Sequence, residues 1–170
     1  MLIRRETPAD VDAIRSVTAA AFAPSPVEAP LVDELRACAG WLPPLSLVAV
    51  GSSDAVIGHV LCTRAHIGFV PVLGLGPLSV HPDHHTRGVG SALVHTVLGA
   101  ADALSEPLVA LLGNPAYYHR FGFVLSDVHG ILPPDPAWQS HFQVRTLTAY
   151  TPTLTGTFAY AEPFSRHDAS

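Results

Sequence analysis

Two glycines and an arginine follow a strand-like run near the middle of the chain. The segment from Ser79 to Gly90 reads SVHPDHHTRGVG, and a helix-like apolar run begins at Ser91. The start of a helix carries unpaired N–H groups and a partial positive charge, which together bind anions. Gly88 and Gly90 would let a phosphate approach the backbone without a Cβ in the way, and Arg87 would add a cation. The segment therefore predicts a phosphate cradle, or else only a tight turn that the glycines relieve.

Three histidines in the same segment raise the alternative of a metal site. His81, His84 and His85 have no carboxylate or cysteine that completes a known zinc spacing. The Pro-Asp pair between the first two favours a turn that spreads the imidazoles apart. Two other phosphate motifs fit less well, because the P-loop needs a lysine that the chain lacks and a dinucleotide fingerprint needs glycine where Leu93 stands. We expect solvated loop histidines and no metal.

Length and composition predict one ordinary globular domain. The chain has 170 residues and a mass of 17.9 kDa, and 48% of its residues are hydrophobic. We place the domain at residues 1–165 and a short C-terminal tail at 166–170. Apolar runs are short and interrupted, so none approaches the ~20 residues of a membrane span. The first residues lack the apolar stretch of a signal peptide, so a cytoplasmic protein without membrane contact is expected.

The charged residues argue against a nucleic-acid partner. All nine basic residues are arginine, the formal net charge is −5, and no basic stripe is present. The mild acidity is compatible with a cationic substrate, although solubility explains it equally well. Cys38 and Cys62 match neither a disulfide framework nor a metal spacing, so two buried thiols are expected.

Hydrophobic periodicity and turn residues predict the elements that must position the central segment. Helices are expected from Thr7-Pro8 to a proline-rich stop at 22–30, and then over residues 31–39, 88–104 and 114–120. Strands are expected at 2–5, 45–50, 55–67, 70–80, 108–112, from 121, 142–147 and 154–160. GSSD predicts a hairpin, and Gly74, Gly76 and Pro77 predict a bulge. The order indicates a mixed sheet with helices on its faces and one parallel crossover, from 70–80 to 108–112.

The central segment resembles the acetyl-CoA motif of the GNAT superfamily of N-acetyltransferases. That motif ends a strand with Val-x-Pro and continues with Gln or Arg, two residues, Gly, one residue, and Gly or Ala. His85 departs from it, because it stands where the family has Gln or Arg. The matching residues are Val80, Pro82, Arg87, Gly88, Val89, Gly90 and Leu93.

Two later stretches resemble the same family. GNPAYYHRFGF, at 113–123, is similar to a segment in which Asn ends a strand and Tyr stands four residues before Gly-Phe. The late runs FQVRTL and LTGTFAY are similar to a small bacterial branch of predicted acetyltransferases. The resemblance covers nearly the whole chain.

The resemblance implies both a fold and an activity. The fold would be a GNAT-like mixed, mostly antiparallel sheet of about seven strands and about four helices, with one parallel, splayed pair that holds the cofactor. Acetyl-CoA (coenzyme A) would be the co-substrate, without a metal. The acetyl group would pass to a primary amine of a small molecule or peptide by direct attack in a ternary complex. Late strands often pair subunits in this family, which is compatible with a homodimer, although the sequence does not determine the oligomeric state. The alternative to an enzyme is a non-catalytic acyl-CoA-binding module.

The resemblance also assigns cofactor and acid residues. Amides from about His85 to Ser91 would bind the pyrophosphate, and the amide of Leu78 would polarise the thioester carbonyl. Tyr118 would be the general acid, since a phenol can protonate a leaving thiolate. Tyr117 is expected to line the pocket. The cofactor-binding set is Leu78, Ser79, Val80, His85, Thr86, Arg87, Gly88, Val89, Gly90, Ser91, Asn114, Tyr117 and Tyr118.

The general base and the acceptor site stay more open. Many relatives carry a carboxylate on the strand at 70–80, and this chain has none there. Glu28 is our first choice because the segment between the first two helices usually lines the acceptor site in this family; Glu34, His59, His66 and a water chain are alternatives. Aromatic side chains beside carboxylates suit an amine with an apolar or cationic body. The acceptor-site candidates are Phe22, Glu28, Glu34, Trp138 and Phe142.

Overall fold

The computed structural model describes residues 1–167, which contain nine strands and five α-helices. The strands are β1 (Leu2–Arg5), β2 (Ser46–Val50), β3 (Val56–Ile67), β4 (Val70–Val80), β5 (Leu108–Leu112), β6 (Val124–Leu125), β7 (Ile131–Leu132), β8 (Phe142–Thr146) and β9 (Gly156–Ala159). The helices are α1 (Val11–Phe22), α2 (Glu28–Ala37), α3 (Val89–Ala103), α4 (Pro115–Tyr118) and α5 (Glu162–His167). None of these helices is long and apolar enough to cross a membrane.

The main sheet has the strand order β1-β2-β3-β4-β5-β8-β6, and β9 pairs with the far end of β3. Neighbours along this path are antiparallel except β4 and β5, which run parallel because α3 returns the chain across the sheet between them. The strands β7 and β9 add a short parallel ladder of their own. The predicted fold class, a mixed and mostly antiparallel sheet with one parallel crossover, is confirmed.

Helices cover both faces of the sheet. Leu47 and Val48 are neighbours on β2, and their side chains point to opposite faces. Leu47 packs in a core cluster with Leu93 of α3, whereas Val48 packs in a second cluster with Ile14 of α1 and residues of α2. A third cluster, centred on β5, β8 and β9, continues the core on the α1 side. The sheet is therefore the middle layer of three.

A bulge interrupts β4 at the position that its glycines predict. Val60 faces Leu78 across the β3–β4 ladder, but Cys62 faces Leu75, so β4 contains one residue more than β3 over this stretch. Gly76 lies within the extra segment with φ of 136°, a conformation that favours glycine. The bulge changes the direction of β4 directly after the strand meets β5.

The parallel strands β4 and β5 pair over two residues only. Leu73 faces Val109 and Gly74 faces Ala110, and beyond these pairs no ladder joins the two strands. Both strands nevertheless continue, β4 to Val80 and β5 to Leu112. The predicted splayed pair is confirmed, and it leaves a gap at the carboxyl ends of both strands.

Several helix boundaries differ from the sequence expectation. α2 begins at Glu28 and not at residue 31, because Pro30 lies in the first turn, where a missing N–H costs no helical hydrogen bond. The Asp10 carboxylate caps the start of the first helical segment by accepting from the backbone N–H of Thr7 at 2.7 Å. α5 has no predicted counterpart, and it crosses the predicted domain boundary at residue 165; residues 168–170 of the predicted tail lie outside the described residues.

The two cysteines occupy different environments. Cys62 is buried in β3, as predicted, and burial raises the pKa of its thiol, so the thiol stays protonated. Cys38 is only half-buried, contrary to the prediction, because it follows the last turn of α2 as the C-cap residue. Neither forms a disulfide.

A buried polar cluster joins the end of β1 to α2, β2 and β3. The Glu6 carboxylate accepts from Arg36 Nε at 2.6 Å and from the hydroxyl of Ser46, and it lies 3.1 Å from His59 Nε2. Burial alone would raise the pKa of Glu6, but the donors His59, Arg36 and Ser46 together lower it to about 2. Burial lowers the pKa of His59, which Glu6 opposes only in part. The cluster thus stabilises a carboxylate and a neutral imidazole at neutral pH.

The cluster predicts a loss of stability in acid. Glu6 has a folded pKa below its unfolded value of 4.5, so its contribution is present above pH 4.5 and lost as the pH falls towards 2. The lowered pKa of His59 acts in the same direction, from its unfolded value of 6.5 downward. Glu6→Gln should cost about 2 kcal/mol of unfolding free energy at pH 7 and flatten the pH dependence below pH 4.5.

Urea unfolding followed by tryptophan fluorescence at several pH values measures this effect. Asp83→Asn, which changes an exposed carboxylate, is the control and should leave the pH profile unchanged. An unaltered profile in Glu6→Gln would show that this carboxylate is not the source of the acid sensitivity.

Candidate functional site

Two cavities lie side by side along the gap between β4 and β5. The helix-end cavity, of about 570 Å³, lies against the N-terminus of α3. The splay cavity, of about 420 Å³, lies between the separated ends of β4 and β5. Phe22 and Leu78 line both cavities, so the two are adjacent. Nine predicted cofactor residues line the helix-end cavity: Leu78, Val80, His85, Thr86, Gly88, Val89, Gly90, Ser91 and Tyr117.

The N-terminus of α3 presents backbone donors to the helix-end cavity. Gly88 is the N-cap with φ of 79°, and the first helical hydrogen bond runs from the N–H of Ala92 to the Gly88 carbonyl. The N–H groups of Val89, Gly90 and Ser91 therefore have no acceptor within the helix. All three residues line the cavity. The arrangement is that of an anion site built from backbone.

Close contact with Tyr117 explains why residue 90 is glycine. A Cβ placed on Gly90 would lie 2.8 Å from the Tyr117 hydroxyl oxygen, closer than real Cβ atoms approach. The guanidinium of Arg120 lies over the Tyr117 ring at 4.7 Å, and its Nε donates to the Tyr117 carbonyl. Tyr117 and Arg120 thus form one wall of the cavity, and the Tyr117 hydroxyl meets the helix end at Gly90.

The end of β4 directs alternate backbone groups to the gap. The N–H of His81 donates to the carbonyl of Ile57 on the β3 side, so Ser79 faces β3 as well. By the same alternation, the N–H groups of Leu78 and Val80 face the gap. His85 Nε2 lies 2.9 Å from the Val80 carbonyl oxygen and donates to it. The amide of Leu78 is a donor at the junction of the two cavities.

Tyr118 lies on the wall of the splay cavity. Its ring packs against the backbone of Gly113, where a Cβ would lie 2.6 Å from a ring carbon, and edge-on to Tyr117 and Phe123. Burial, with a smaller contribution from Tyr117, raises the pKa of Tyr118 to about 12. Within residues 1–167 its hydroxyl forms no hydrogen bond. Tyr118 therefore offers a protonated, unengaged O–H to the cavity.

Glu28 brings a carboxylate to an otherwise apolar cavity. The side chain lies in the first turn of α2 and lines the splay cavity near Phe22 and Trp138. One carboxylate oxygen is shielded from solvent and accepts no hydrogen bond from the described residues. A carboxylate in this position lacks the donors that normally satisfy it.

Comparison with known proteins places the chain in a family. Residues 45–125 match the family model of the acetyltransferase (GNAT) domain. The uncharacterized N-acetyltransferase YhbS of Escherichia coli strain K12 is 34% identical over 169 residues, which span 98% of this chain and 99% of that protein. The chain belongs to the GNAT family of acetyltransferases. The resemblance deduced from the central motif is confirmed.

Solved GNAT structures have the same fold. The crystal structure of Escherichia coli YhbS in complex with CoA has a TM-score of 0.90 and 33% identity, covering 97% of this chain and 92% of that chain. A GNAT acetyltransferase from Brucella melitensis in complex with acetyl-CoA has a TM-score of 0.78 and 34% identity, covering 96% of this chain and 97% of that chain.

Some predicted cofactor residues lie outside the helix-end cavity. The Ser79 side chain is buried on the α1 side of β4, where its hydroxyl donates to the hydroxyl of Thr18. The backbone N–H and C=O of Ser79 face β3 and not the gap. The Arg87 side chain is exposed and lines neither cavity. Asn114 lines the splay cavity and not the helix-end cavity, and its Oδ1 accepts from the N–H of Ala116 as the cap of α4.

Four acceptor or base candidates line neither cavity. Glu34 follows Glu28 by six residues, about 240° around α2, so it pairs with Arg166 and His167 of α5 instead of reaching the cavity. Phe142 is fully buried in the core. His59 is enclosed with Glu6, and His66 is exposed on β3, where it pairs with β9; neither lines a cavity. Of the proposed bases only Glu28 lies at the site.

The structure adds cavity-lining residues that sequence reasoning missed. Arg120 follows Tyr117 by three residues, the spacing of neighbours on a helical turn, so this pairing had a readable signal. Tyr160 and Phe164 line the splay cavity from the C-terminal segment. Phe164 had no signal, because α5 is too short to show a helical period.

The histidines of the central segment do not form a metal cluster. His81 Nδ1 accepts from the N–H of Asp83 at 3.2 Å, and the His81 and His84 ring centroids are 6.2 Å apart. In the part of the chain that the structure describes, no group of three or more His, Cys, Asp or Glu side chains could hold a metal ion. The histidines act here as cap and wall residues, with His84 and His85 lining the helix-end cavity.

The contact between Gly90 and Tyr117 predicts a specific destabilisation. Gly90→Ala should lower the free energy of unfolding by about 1 kcal/mol, because its Cβ collides with the Tyr117 hydroxyl. The double variant Gly90→Ala/Tyr117→Phe, which removes that hydroxyl, should recover most of the loss.

Gly99→Ala is the matched control in the same helix. A Cβ at Gly99 meets no atom within 4 Å, so this change should stabilise the protein by about 0.5–1 kcal/mol. Urea unfolding followed by circular dichroism measures all three variants. Equal gains at positions 90 and 99 would contradict the close contact.

Proposed function

We propose that this protein transfers the acetyl group of acetyl-CoA to a primary amine by direct attack within a ternary complex. One observation carries the proposal: an anion site made of helix amides adjoins, at Leu78 and Phe22, a second cavity that contains Tyr118 and Glu28. Direct transfer requires that the acetyl donor and the amine acceptor bind next to each other, as two adjacent cavities allow. The solved relatives from Escherichia coli and Brucella melitensis, in complex with CoA and acetyl-CoA, support the choice of donor.

The residues of the helix-end cavity fit the chemistry of acetyl-CoA. The amides of Val89, Gly90 and Ser91 would hold the pyrophosphate, since both negative charge and acceptor oxygens are favoured there. The amide of Leu78, at the junction, would donate to the thioester oxygen as negative charge develops on it. When bound, acetyl-CoA supplies an activated acyl group that the amine nitrogen can attack.

Tyr118 is the proposed general acid. As the new C–N bond forms and the C–S bond breaks, the departing sulfur gains negative charge, and the Tyr118 hydroxyl donates to it. Because the pKa of Tyr118 is about 12, the phenol is protonated throughout the neutral range. The pKa of Tyr118 lies above the ordinary pKa of a thiol, about 8.5, so the hydroxyl stabilises the departing sulfur mainly as a hydrogen-bond donor. If the proton does pass to sulfur, the resulting tyrosinate takes another from solvent because of the same high pKa.

Glu28 is the proposed general base. An alkylammonium has a pKa of about 10.4 and must first lose one proton to solvent water before its nitrogen can attack, and the nitrogen loses a second proton after attack. Glu28 is the carboxylate among the described residues that line the splay cavity, and its shielded oxygen has no competing donor. The protons on nitrogen become far more acidic once the C–N bond forms, so a carboxylate is then basic enough to accept one. The base releases that proton to solvent.

Tyr118→Phe tests the proposed acid. The variant should release CoA thiol from acetyl-CoA and an amine about 10²-fold more slowly than the wild type, with a far smaller change in affinity for acetyl-CoA, because the ring that lines the cavity is kept. Wild-type turnover should show no loss between pH 8 and 10 from ionisation of this tyrosine, because its pKa lies near 12. A thiol-release assay and calorimetric titration provide the two measurements.

Tyr150→Phe is the control, since Tyr150 packs against His129 away from both cavities. Full turnover in Tyr118→Phe would remove Tyr118 as the acid. If acetyl-CoA binds but no amine or peptide in a broad panel releases thiol, the protein is an acyl-CoA-binding module instead of an enzyme.

Gly88→Glu tests the anion site. A carboxylate at the N-cap of α3 should weaken acetyl-CoA binding at least ~10-fold, because it repels the pyrophosphate from the helix amides. Gly68→Glu is the matched control: Gly68 also has a positive φ, of 58°, and a Cβ there meets no atom, but it lies in the β3–β4 turn. Isothermal titration calorimetry measures the Kd for acetyl-CoA in both variants. An equal Kd in Gly88→Glu and Gly68→Glu would contradict the anion site at the start of α3.

A further inference from the structure

The charges around the splay cavity define what its occupant can carry. Among the described residues that line it, Glu28 is the one carboxylate, and none is Arg, Lys or His. The remaining lining is aliphatic, aromatic or glycine, apart from Asn114. A ligand cation can find one oppositely charged partner among these residues, and a ligand anion can find none.

The Glu28 side chain is prepared for a cation. It is half-buried, and its shielded oxygen has no hydrogen-bond donor among residues 1–167. The one basic residue of α2, Arg36, is engaged elsewhere, because it is paired with Glu6 and Asp33. A carboxylate that has lost part of its hydration without gaining a donor is stabilised when an ammonium binds beside it.

Aromatic side chains from separate parts of the chain form the rest of the wall. Phe22 ends α1, Trp138 lies between β7 and β8, and Phe164 belongs to α5. Aromatic faces bind apolar groups and also attract an ammonium through their π electrons. A volume of about 420 Å³ is within the range of small-molecule sites.

From these observations we propose that the acceptor is a small primary amine with a single positive charge and an uncharged, apolar body, as in an arylalkyl amine. The ammonium lies beside Glu28 and the body lies among Phe22, Trp138 and Phe164. This inference rests on the proposed acetyl transfer and narrows its acceptor.

The same lining disfavours other amines. The carboxylate of a free amino acid would enter a cavity without a cation and would face Glu28. The second ammonium of a diamine would be desolvated against apolar walls that offer no second carboxylate. Both penalties persist in the transition state, so they lower kcat/KM, which measures the barrier from free enzyme and free amine.

Matched pairs of amines test the inference in a thiol-release assay. The compound 2-phenylethylamine is compared with L-phenylalanine, which adds a carboxylate, and hexylamine with 1,6-diaminohexane, which adds a second cation. We expect kcat/KM to be at least ~30-fold higher for the first member of each pair. A lysine-containing peptide, acetylated at its N-terminus, should also be a poorer substrate than 2-phenylethylamine.

The Glu28→Gln variant separates recognition from chemistry. With CoA in place of acetyl-CoA no transfer can occur, so the binding of 2-phenylethylamine reports recognition alone. We expect its Kd to rise at least ~10-fold in Glu28→Gln and to stay unchanged in Glu34→Gln, whose side chain faces α5. If Glu28→Gln does not fold, the amine pairs on the wild-type protein still decide.

The outcomes distinguish this inference from the proposed function. If the amino acid, the diamine or the peptide turns over as well as its partner, the inference is wrong while acetyl transfer stands. If acetyl-CoA binds but no amine releases thiol, the proposed function is wrong, and this inference with it. Unchanged amine affinity in Glu28→Gln would overturn the role of Glu28 in recognition.

Discussion

The separation of β4 from β5 is the constraint on which the site depends. The two strands pair at Leu73 and Gly74 only, and the bulge around Gly76 then turns β4 away. A continued parallel ladder would have satisfied the amide of Leu78 and closed the splay cavity. Because the ladder stops, backbone donors that most sheets consume internally are left facing a cleft. The separation of the strands removes little core packing, because both strands still pack on their faces against α3 and against the core on the α1 side.

The hydrogen-bond donors at the helix-end cavity are mainly backbone groups. The donors of the α3 N-terminus and of β4 require glycines and a bulge, not particular side chains. This explains how the site can keep its form although His85 replaces the Gln or Arg of the GNAT motif. The His85 ring turns back to the Val80 carbonyl, so its own contribution is to hold the end of β4. Side-chain identity matters more in the splay cavity, where Glu28 and the aromatic residues stand.

The sequence predicted the parts of the fold that local patterns encode. The glycines of β4 predicted the bulge, and the Gly-x-Gly start of α3 predicted its N-terminus, because each needs a backbone that other residues resist. Predictions failed where tertiary geometry decides. Glu28 and Glu34 were both base candidates from the sequence, with Glu28 preferred, and only the position of α2 shows which one lines the cavity. Phe164 lies in a helix too short to have a period, and Ser79 fell in the right strand but on its other face.

Two glycines leave room for two adjacent tyrosines, which line different cavities. Tyr117 and Tyr118 are consecutive on α4, so their side chains diverge by about 100° and enter different cavities. Gly90 leaves room for the first hydroxyl and Gly113 for the second ring. Were either glycine larger, its tyrosine would have to move, and with it the boundary between the cavities. The short helix α4 thus places one phenol beside the anion site and the other, protonated and unengaged, in the splay cavity that Glu28 also lines. The proposed acid and base would act there on two different atoms, the leaving sulfur and the amine nitrogen.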